Sequence, residues 1–588
     1  MSAQPQMNDV HPGGQRRGRA PVHPIVSPPA GRVPVDAAAA RLTAADVAVE
    51  AVAAGGQLPV TGAVQPDAWK MTPWRLLQND KRGSTFEEVV QGFDADAVFA
   101  EAQRCLLCKD PTCIAGCPNN NPIPTYIAFV AEGRILDAAV ADYEKNSLGA
   151  CTGRVCAWEN QCEGHCVLNA RGEGVRVGAI ERYIADYALA HHEEFEALIA
   201  QRAAERAERG SSSYIDPELS SFAAAVRAYG DAVPASYGPG YGLPDNSVLT
   251  GYSVAVIGAG PAGLACADFL SRRGAAVVVF EAQKYAGGLL ADGIPEFVLP
   301  EGTVEHEVDR LRRQGVVFCF EQALGRDIRL EELRVEFDAV FLGIGAIKAR
   351  RLGVRGEDAV GVSIAQQYLQ EVKVAMSHVG VEGFAVPTVG RRVLVIGAGD
   401  TAMDAARTSV RLGAEEVYIV YRRTRAESPS RDGEVEHTLH EGVHFEYLVN
   451  PVEFLKDEHG HVNAARLVRM RLGEPDASGR RSPEPIPGSE YDQECDQVIE
   501  ALGYSANGSV IGQPELLTRG GTVRVRTERG DTEIEGVFAG GDIVRGAMTV
   551  VHAIRDGRLA ADAIGEYLLK RSGLQSEAPL AGEALAAD

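Results

Sequence analysis

SVAVIGAGPAGLACADFLSRRGAAVVVFE, residues 253–281, is the stretch whose reading decides the fold. An apolar run enters Gly258-Ala-Gly260-Pro-Ala-Gly263, a helical pattern follows, and a second apolar run ends at Glu281. The order is strand, tight turn, helix, strand. Each glycine has a task. Gly258 permits the sharp turn, Gly260 lets a pyrophosphate approach the backbone, and Gly263 lets helix and sheet pack closely. An anion then meets the free N–H groups at the helix N-terminus. Glu281, 23 residues after Gly258, is placed to accept hydrogen bonds from a ribose 2′-hydroxyl. GxGxxG alone is a weak signal. With strand, helix and acid in register it predicts dinucleotide binding.

The pattern returns 139 residues later as RRVLVIGAGDTAMDAARTSVRLGAEEVYIVYRR, residues 391–423. Its turn is Gly397-Ala-Gly399-Asp400-Thr401-Ala402, with Ala402 as the third small residue. The following strand ends in Arg422 and Arg423 where the first ended in an acid. An acid repels a 2′-phosphate and Arg binds it, so this turn favours NADP(H) over NAD(H). Two such sites in one chain suggest a flavin in one and a nicotinamide in the other. Near the C-terminus Gly540-Gly541-Asp542 follows the apolar run GVFA, and MTVVHAIRDGRLAADAIGEYL reads as a helix. That acid suits a flavin's ribityl or phosphate region, and the helix start can face the electron-rich ring. The chain is therefore expected to complete the first fold after inserting the second.

Outside these turns the chain divides by texture. Its 588 residues amount to about four domains. The expected segments are an arm over 1–75, helical and irregular chain with a connector over 76–245, a first dinucleotide fold over 246–385, the inserted fold over 386–505, the completion of the first over 506–572, and a tail over 573–588. Within the arm HPGGQRRGRAPVHPIVSPPAGRVP has no period of 2 or 3.6, a short helix is expected in AAAARLTAADVAVEAVAAGG, ending at Gly55–Gly56, and the whole reads as partly disordered or partner-binding. In the helical part, a helix entered through Asp94 or Asp96, two short helices broken near Gly133, and one long helix from about Ala179 to Gly210 are predicted. Residues 476–490, DASGRRSPEPIPGSE, read as a surface turn or hairpin loop. Formal net charge is −23, from 58 Lys plus Arg and 81 Asp plus Glu, which disfavours nucleic acid as a partner. No apolar run is long enough to span a membrane, and no export signal is recognisable. The expected compartment is the cytoplasm.

Eight of eleven cysteines lie between Cys105 and Cys166. They fall into Cys105-x2-Cys108-x4-Cys113-x3-Cys117-Pro118 and Cys151-x4-Cys156-x5-Cys162-x3-Cys166. A disulfide scaffold does not suit a large chain without an export signal. Zinc competes for any four thiols. The dense CxxC opening, the CP ending and the flavin-type turn nearby favour iron–sulfur clusters. Spacing does not assign ligands between clusters.

The combined motifs resemble the small (beta) subunit of bacterial NADPH-dependent glutamate synthase. They are also similar to the N-terminal part of dihydropyrimidine dehydrogenase and the large subunit of the bifurcating NADH-dependent ferredoxin:NADP oxidoreductase. The matching stretches are CxxC…CP, TGRVC…QCEGHC, GAGPAGL, GGL…GIPEF, GAGDTAMD, YRR, EALGY and AGD…RDGR, over about residues 80–572. The resemblance implies an α/β protein of two Rossmann-like domains in a glutathione-reductase-like arrangement, preceded by an α-helical iron–sulfur domain. It implies that Gly258, Gly260, Gly263, Glu281, Gly288, Leu289, Asp542 and Thr549 hold FAD. It implies that Gly397, Gly399, Asp400, Thr401, Arg422 and Arg423 hold NADP(H). It further implies two interleaved 4Fe–4S clusters, one on Cys105, Cys108, Cys113 and Cys156, the other on Cys117, Cys162, Cys166 and a non-cysteine ligand at Glu181. Cys151 is then a buried or spare thiol, or replaces Glu181 if its loop bends inward. Ala157 and Ala398 depart from the family's common residues.

The implied activity is electron transfer between NADPH, FAD, the clusters and a larger partner subunit. No side-chain acid or base is required for hydride transfer, which orientation and flavin electronics carry. The partner is a glutamate synthase large subunit, or another oxidoreductase handling formate, a 2-oxoacid or ferredoxin. A non-catalytic assembly role is disfavoured by the intact glycine turns.

Overall fold

The structure is a computed structural model that describes residues 67–209, 248–377, 387–475 and 479–572. Most of the expected arm with its short helix, the connector after Arg209 and the tail after Ser572 lie outside the described residues. The boundary expected at residue 75 falls inside ordered chain. Strand Arg75–Leu76 pairs antiparallel with Val90–Gly92, and the Asp67 carbonyl accepts from Arg104 Nε at 2.9 Å.

The first domain is helical. Helix Ala95–Ala102 is capped by Asp94, whose carboxylate accepts from the Ala97 N–H at 2.9 Å. Helices Ile123–Ala131 and Ile135–Tyr143 are separated at Gly133, which takes φ +78°. Helices Gly149–Val155, Val177–Ala190 and His192–Arg209 follow. The last two correct the single long helix expected there. The chain leaves helical geometry at His191, whose ring stacks on Tyr187 at 4.0 Å with its Nδ1 2.8 Å from the Tyr187 carbonyl.

The first dinucleotide fold is a five-stranded parallel sheet in the spatial order Val537–Ala539, Ala339–Leu342, Ser253–Ile257, Ala276–Phe280, Val317–Cys319. Its edge strand at 537 comes from the far end of the chain, so the fold is completed after an insertion. Helix Val550–Arg571 then lies tightly on helix Pro261–Ser271. A Cβ at Gly557 would stand 2.1 Å from the Ala262 carbonyl oxygen.

The insertion is a second parallel sheet in the order His444–Tyr447, Glu416–Tyr421, Arg392–Ile396, Gln497–Glu500, Val362–Ile364. Because strand Val362–Ile364 and the helix Ala365–Ser377 after it belong here, the boundary expected at 385/386 is too late. The crossing is marked where Lys348–Ala349 pairs antiparallel with Tyr504–Ser505. An antiparallel sheet of Val449–Lys456, Val462–Pro475, Arg481–Pro485 and Tyr491–Glu494 decorates the insertion; Arg481–Pro485 makes a strand of part of the stretch expected as a turn or hairpin loop, and residues 476–478 lie outside the described residues.

A buried ionic knot fixes the helical domain on the first fold. Asp268 is fully buried and accepts from the Tyr143 hydroxyl at 2.7 Å and from Arg310 at 2.9 Å. Arg272 also pairs with Asp268, donates to the Tyr143 carbonyl at 2.9 Å, and lies 3.4 Å above the Tyr143 ring. Arg310 reaches on to the Ser147 carbonyl at 2.7 Å. Burial pushes the Asp268 pKa up, but the two guanidiniums outweigh it and hold the carboxyl below its ordinary range.

Candidate cofactor sites

The first glycine turn is shaped by contacts a side chain would block. Gly258 has φ +97°, and a Cβ there would lie 2.5 Å from the Gly343 carbonyl oxygen. At Gly263 a Cβ would meet the Gly258 carbonyl oxygen at 1.9 Å. Gly260, at the start of helix Pro261–Ser271, has nothing within 4 Å of a notional Cβ. Open space thus stands over a helix N-terminus, where a pyrophosphate fits. Gly288, with φ +54°, closes one side, since its Cβ would come 3.0 Å from the Gly260 Cα. Leu289 follows it, 38% exposed. Glu281 braces the turn, accepting from the Ala259 N–H at 2.7 Å and the Gln283 N–H at 2.8 Å. Burial raises its pKa against those hydrogen bonds.

The returning chain meets this turn at Gly541, whose Cβ would lie 2.9 Å from that of Ala262. Asp542 opens the short helix Asp542–Arg545 and accepts from the Met548 N–H at 3.1 Å; burial pushes its carboxyl up to about 6. Thr549 is the N-cap position of helix Val550–Arg571.

The second turn repeats the design. Gly397 has φ +131° with a notional Cβ 2.3 Å from the Ala501 carbonyl oxygen. Gly399 begins helix Asp400–Arg411, and its nearest notional contact is Pro429 at 3.7 Å. Asp400 turns toward the neighbouring loop, accepting from the Ser430 hydroxyl at 2.7 Å and the Arg431 N–H at 3.1 Å. Thr401 is half-buried beside it. The two arginines separate. Arg422 is exposed, whereas Arg423 is buried and donates through Nε to the Arg481 carbonyl at 2.8 Å. They do not form the joint pair that the sequence suggested.

The clustered thiols line two cavities. Cys105, Cys108, Cys113 and Cys166 surround one. Cys117, Cys156, Cys162 and Glu181 surround the other, together with Thr152, Trp158 and Gln161. Among the described residues no three His, Cys, Asp or Glu side chains converge as around a single metal ion. Four thiols line the first void, and three thiols and a carboxylate line the second. Burial pushes the Cys105 and Cys113 thiols up to about 12 and Cys117 to about 11. Such thiols ionise only against cationic charge brought into the cavity. Glu181 is buried and raised to about 7 by desolvation, with hydrogen bonds from Thr152 and Asn146 opposing. Cys151 lines neither cavity and sits in the apolar core of the first fold.

Comparison with known proteins follows this geometry. Residues 82–193 match the family described as dihydropyrimidine dehydrogenase domain II, 4Fe-4S cluster. Residues 252–557 match the pyridine nucleotide-disulphide oxidoreductase family. The glutamate synthase (NADPH) small chain of Escherichia coli (strain K12) is 37% identical over 491 residues, 82% of this chain and 94% of that one. The chain belongs to the glutamate synthase small-chain family. The small chain of Halomonas elongata is also 37% identical, over 83% of this chain and 94% of its own. The beta subunit of the NADP(+)-dependent formate dehydrogenase of Moorella thermoacetica is 35% identical over 78% of this chain and 60% of its own. This member of the small-chain family is an oxidoreductase of the FAD, NADP(H) and 4Fe–4S type.

The cavity linings differ from the ligand sets that the resemblance implied. Cys156 and Cys166 exchange places between the two thiol groups. Helix Gly149–Val155 packs so closely on helix Val177–Ala190 that a Cβ at Gly153 would lie 2.6 Å from the Arg182 Cα. That contact carries Cys156, at the end of the first helix, to the Glu181 side. Cys166 lies beyond the turn at 158–165 and accepts from the Val175 N–H at 3.5 Å, facing the other cavity. Sequence reasoning also missed three residues that join the sites. Gln161 reaches Thr549 at 3.5 Å, Val551 lines the second cavity, and Arg431 donates to the Cys156 carbonyl at 3.2 Å. Gln161 opens the QCEGHC motif and Val551 lies in the C-terminal helical stretch, but neither motif says what they meet across the chain, and Arg431 belongs to no motif read from the sequence.

Proposed function

We propose that this chain is the electron-input subunit of a larger redox complex. In this reading NADP(H) occupies the inserted fold through Gly397, Gly399, Asp400, Thr401 and Arg422. FAD occupies the first fold through Gly258, Gly260, Gly263, Glu281, Gly288, Leu289, Asp542 and Thr549. One 4Fe–4S cluster is held by Cys105, Cys108, Cys113 and Cys166, the other by Cys117, Cys156, Cys162 and Glu181. When bound, FAD exchanges hydride with the nicotinamide and the clusters carry electrons singly. The protein's own part is positioning. The observation that carries the reading is Val551: it lines the second thiol cavity and lies in the helix that starts at Thr549, beside the flavin-type turn. Ile123 lines both thiol cavities, so they are neighbours. Leu106, 62% exposed, and Val167, 42% exposed, line the first, which faces solvent. The sites therefore form a row from a nicotinamide fold to an open edge, the order an electron-input subunit needs.

The partner in this proposal is a larger synthase subunit that accepts electrons at that edge. The same module in a formate-linked complex is a second reading, motivated by the Moorella thermoacetica relative. Among the described residues no helix is long and apolar enough to cross a membrane; we place the complex in the cytoplasm. Anaerobic purification is expected to yield about eight irons and one FAD per chain. Stoichiometric zinc without iron would overturn the cluster assignment. Co-purification from the native cell, with mass spectrometry of the captured subunits, distinguishes a synthase from a formate-linked partner.

A further inference from the structure

Arg431 belongs to the inserted fold, yet its side chain ends beside the second thiol cavity. Its Nη1 donates to the carbonyl of Cys156 at 3.2 Å, and the guanidinium lies 5.3 Å from the ring of Trp158, which lines that cavity. The other end of the residue holds the nucleotide turn. Its backbone N–H donates to Asp400 Oδ1 at 3.1 Å, and its Nε lies 3.7 Å from Asp400 Oδ2 without a hydrogen-bond partner. Asp400 is the first residue of the helix whose N-terminus faces the second glycine turn. Glu434 takes a third contact at 2.9 Å, and Glu159 and Asp404 add negative charge nearby. The side chain of Arg431 is 7% exposed. One buried cation thus touches both the backbone of a cluster cysteine and the acid that opens the nucleotide helix.

We propose that Arg431 couples the nucleotide turn to the second cluster, so that occupancy of one sets the redox equilibrium of the other. The inference rests on the cofactor reading above. Reduction adds one electron to the cluster and breaks no bond. A buried guanidinium in its shell stabilises the added negative charge, because neither water nor salt screens it effectively. A dinucleotide's phosphates at the turn bring opposing negative charge to the Asp400–Arg431 pair and disfavour reduction. Linkage makes the effect reciprocal: an electron on the second cluster weakens dinucleotide binding by the same factor. Arrival of electrons in the helical domain therefore promotes release of the oxidised nucleotide. Arg431 acts as a positioning and tuning residue.

The test is an EPR-monitored redox titration of both clusters in full-length, anaerobically purified protein. The probe is 2′-phospho-ADP-ribose, which carries the phosphates without a nicotinamide. In the parent chain the probe should shift only the second cluster, toward the oxidised side, by up to about ten-fold in its one-electron equilibrium, equivalent to about 59 mV. Arg431→Gln should make that cluster harder to reduce without probe and abolish the probe effect. Arg431→Lys should restore part of the probe-free value, which a purely structural role would not predict. Asp400→Asn removes a negative charge from beside Arg431, so it should make the second cluster easier to reduce without probe and should weaken the probe effect. An unchanged second-cluster equilibrium in an iron-replete Arg431→Gln protein overturns the proposal, as does a probe effect equal on both clusters or absent from the parent. Should Arg431→Gln lose iron, Asp400→Asn decides: persistence of the full probe effect at saturating probe rejects the coupling. A parent protein without iron, or one whose flavin NADPH does not reduce, instead refutes the underlying cofactor reading.

Discussion

Replacing Arg422 by alanine should convert the enzyme's coenzyme preference without damaging its fold. The argument begins from the separation of the two arginines. Arg423 is buried against the hairpin and donates to the Arg481 carbonyl, while Arg422 stands exposed at the end of strand Glu416–Tyr421. Only Arg422 is thus placed to meet a 2′-phosphate from solvent. A hydrogen bond to a charged group contributes ~1.5–3 kcal/mol. Exposure and competing salt put this contact at the low end, ~1.5–2 kcal/mol, or about 10- to 30-fold in kcat/KM. Reduction of an artificial acceptor such as ferricyanide, followed with NADPH and with NADH, measures this directly. Arg422→Ala should lose that factor for NADPH and stay within about two-fold of the parent for NADH, which offers no phosphate to bind. Raising ionic strength should shrink the parent's NADPH advantage and leave the variant little changed. Arg423→Ala should instead weaken both coenzymes, because it removes a buried donor from the sheet edge. Equal losses with NADPH and NADH in Arg422→Ala would refute the reasoning, and so would selective NADPH loss confined to Arg423→Ala.

Three further outcomes follow from the geometry. Cys156→Ser and Cys166→Ser should perturb different clusters, giving complementary EPR changes; perturbation of the same signal by both would reject the partition seen here. Gly557→Ala drives a Cβ to 2.1 Å from the backbone oxygen of Ala262, so it should cost at least ~2 kcal/mol and lower both Tm and FAD retention. An unchanged Tm would show that the helices separate freely. Asp268→Asn leaves Arg272 without its carboxylate and Arg310 with Glu307 alone, and should cost ~3–5 kcal/mol near neutral pH. The folded carboxyl has a depressed pKa, so its stabilisation is present above its ordinary value of 3.8 and fades as pH falls through the folded value. The Tm gap between parent and variant should therefore narrow in acid; a gap independent of pH would assign it to packing alone.

The glycine turns were legible because their chemistry is local. Gly258 and Gly397 take φ +97° and +131°, and a side chain at Gly263 would strike the Gly258 carbonyl oxygen five residues earlier, so each turn is written within a few residues of chain. The cap at Asp94 and the break at Gly133 were legible for the same reason. The inserted fold's early start was not. Val362–Ile364 is three residues long and earns its place only by pairing with Gln497–Glu500, more than a hundred positions away. The break at His191 carries neither Gly nor Pro, and the apolar period runs through it. The thiol partition was hidden because cysteine spacing records distance along the chain, whereas the approach of Gly153 to Arg182 determines which cavity Cys156 reaches.

That same helix contact separates the roles of Cys151 and Glu181. Successive residues on an α-helix point about 100° apart. Thr152 faces the second cavity and donates to Glu181, so Cys151 is turned away from it, into the apolar core of the first fold. Burial pushes the Cys151 thiol well above its ordinary range, which keeps it neutral there. For Cys151 to replace Glu181, helix Gly149–Val155 would have to rotate about its axis. Such a rotation would pull Gly153 off Arg182, remove the Thr152 hydrogen bond, and carry Cys156 out of the cavity that it lines. The position that offers a carboxylate and the position that offers a spare thiol are therefore coupled through one rigid helix. The second cavity can keep Cys156 only by leaving Cys151 outside, which supports our proposal of Glu181 rather than Cys151 as its fourth donor.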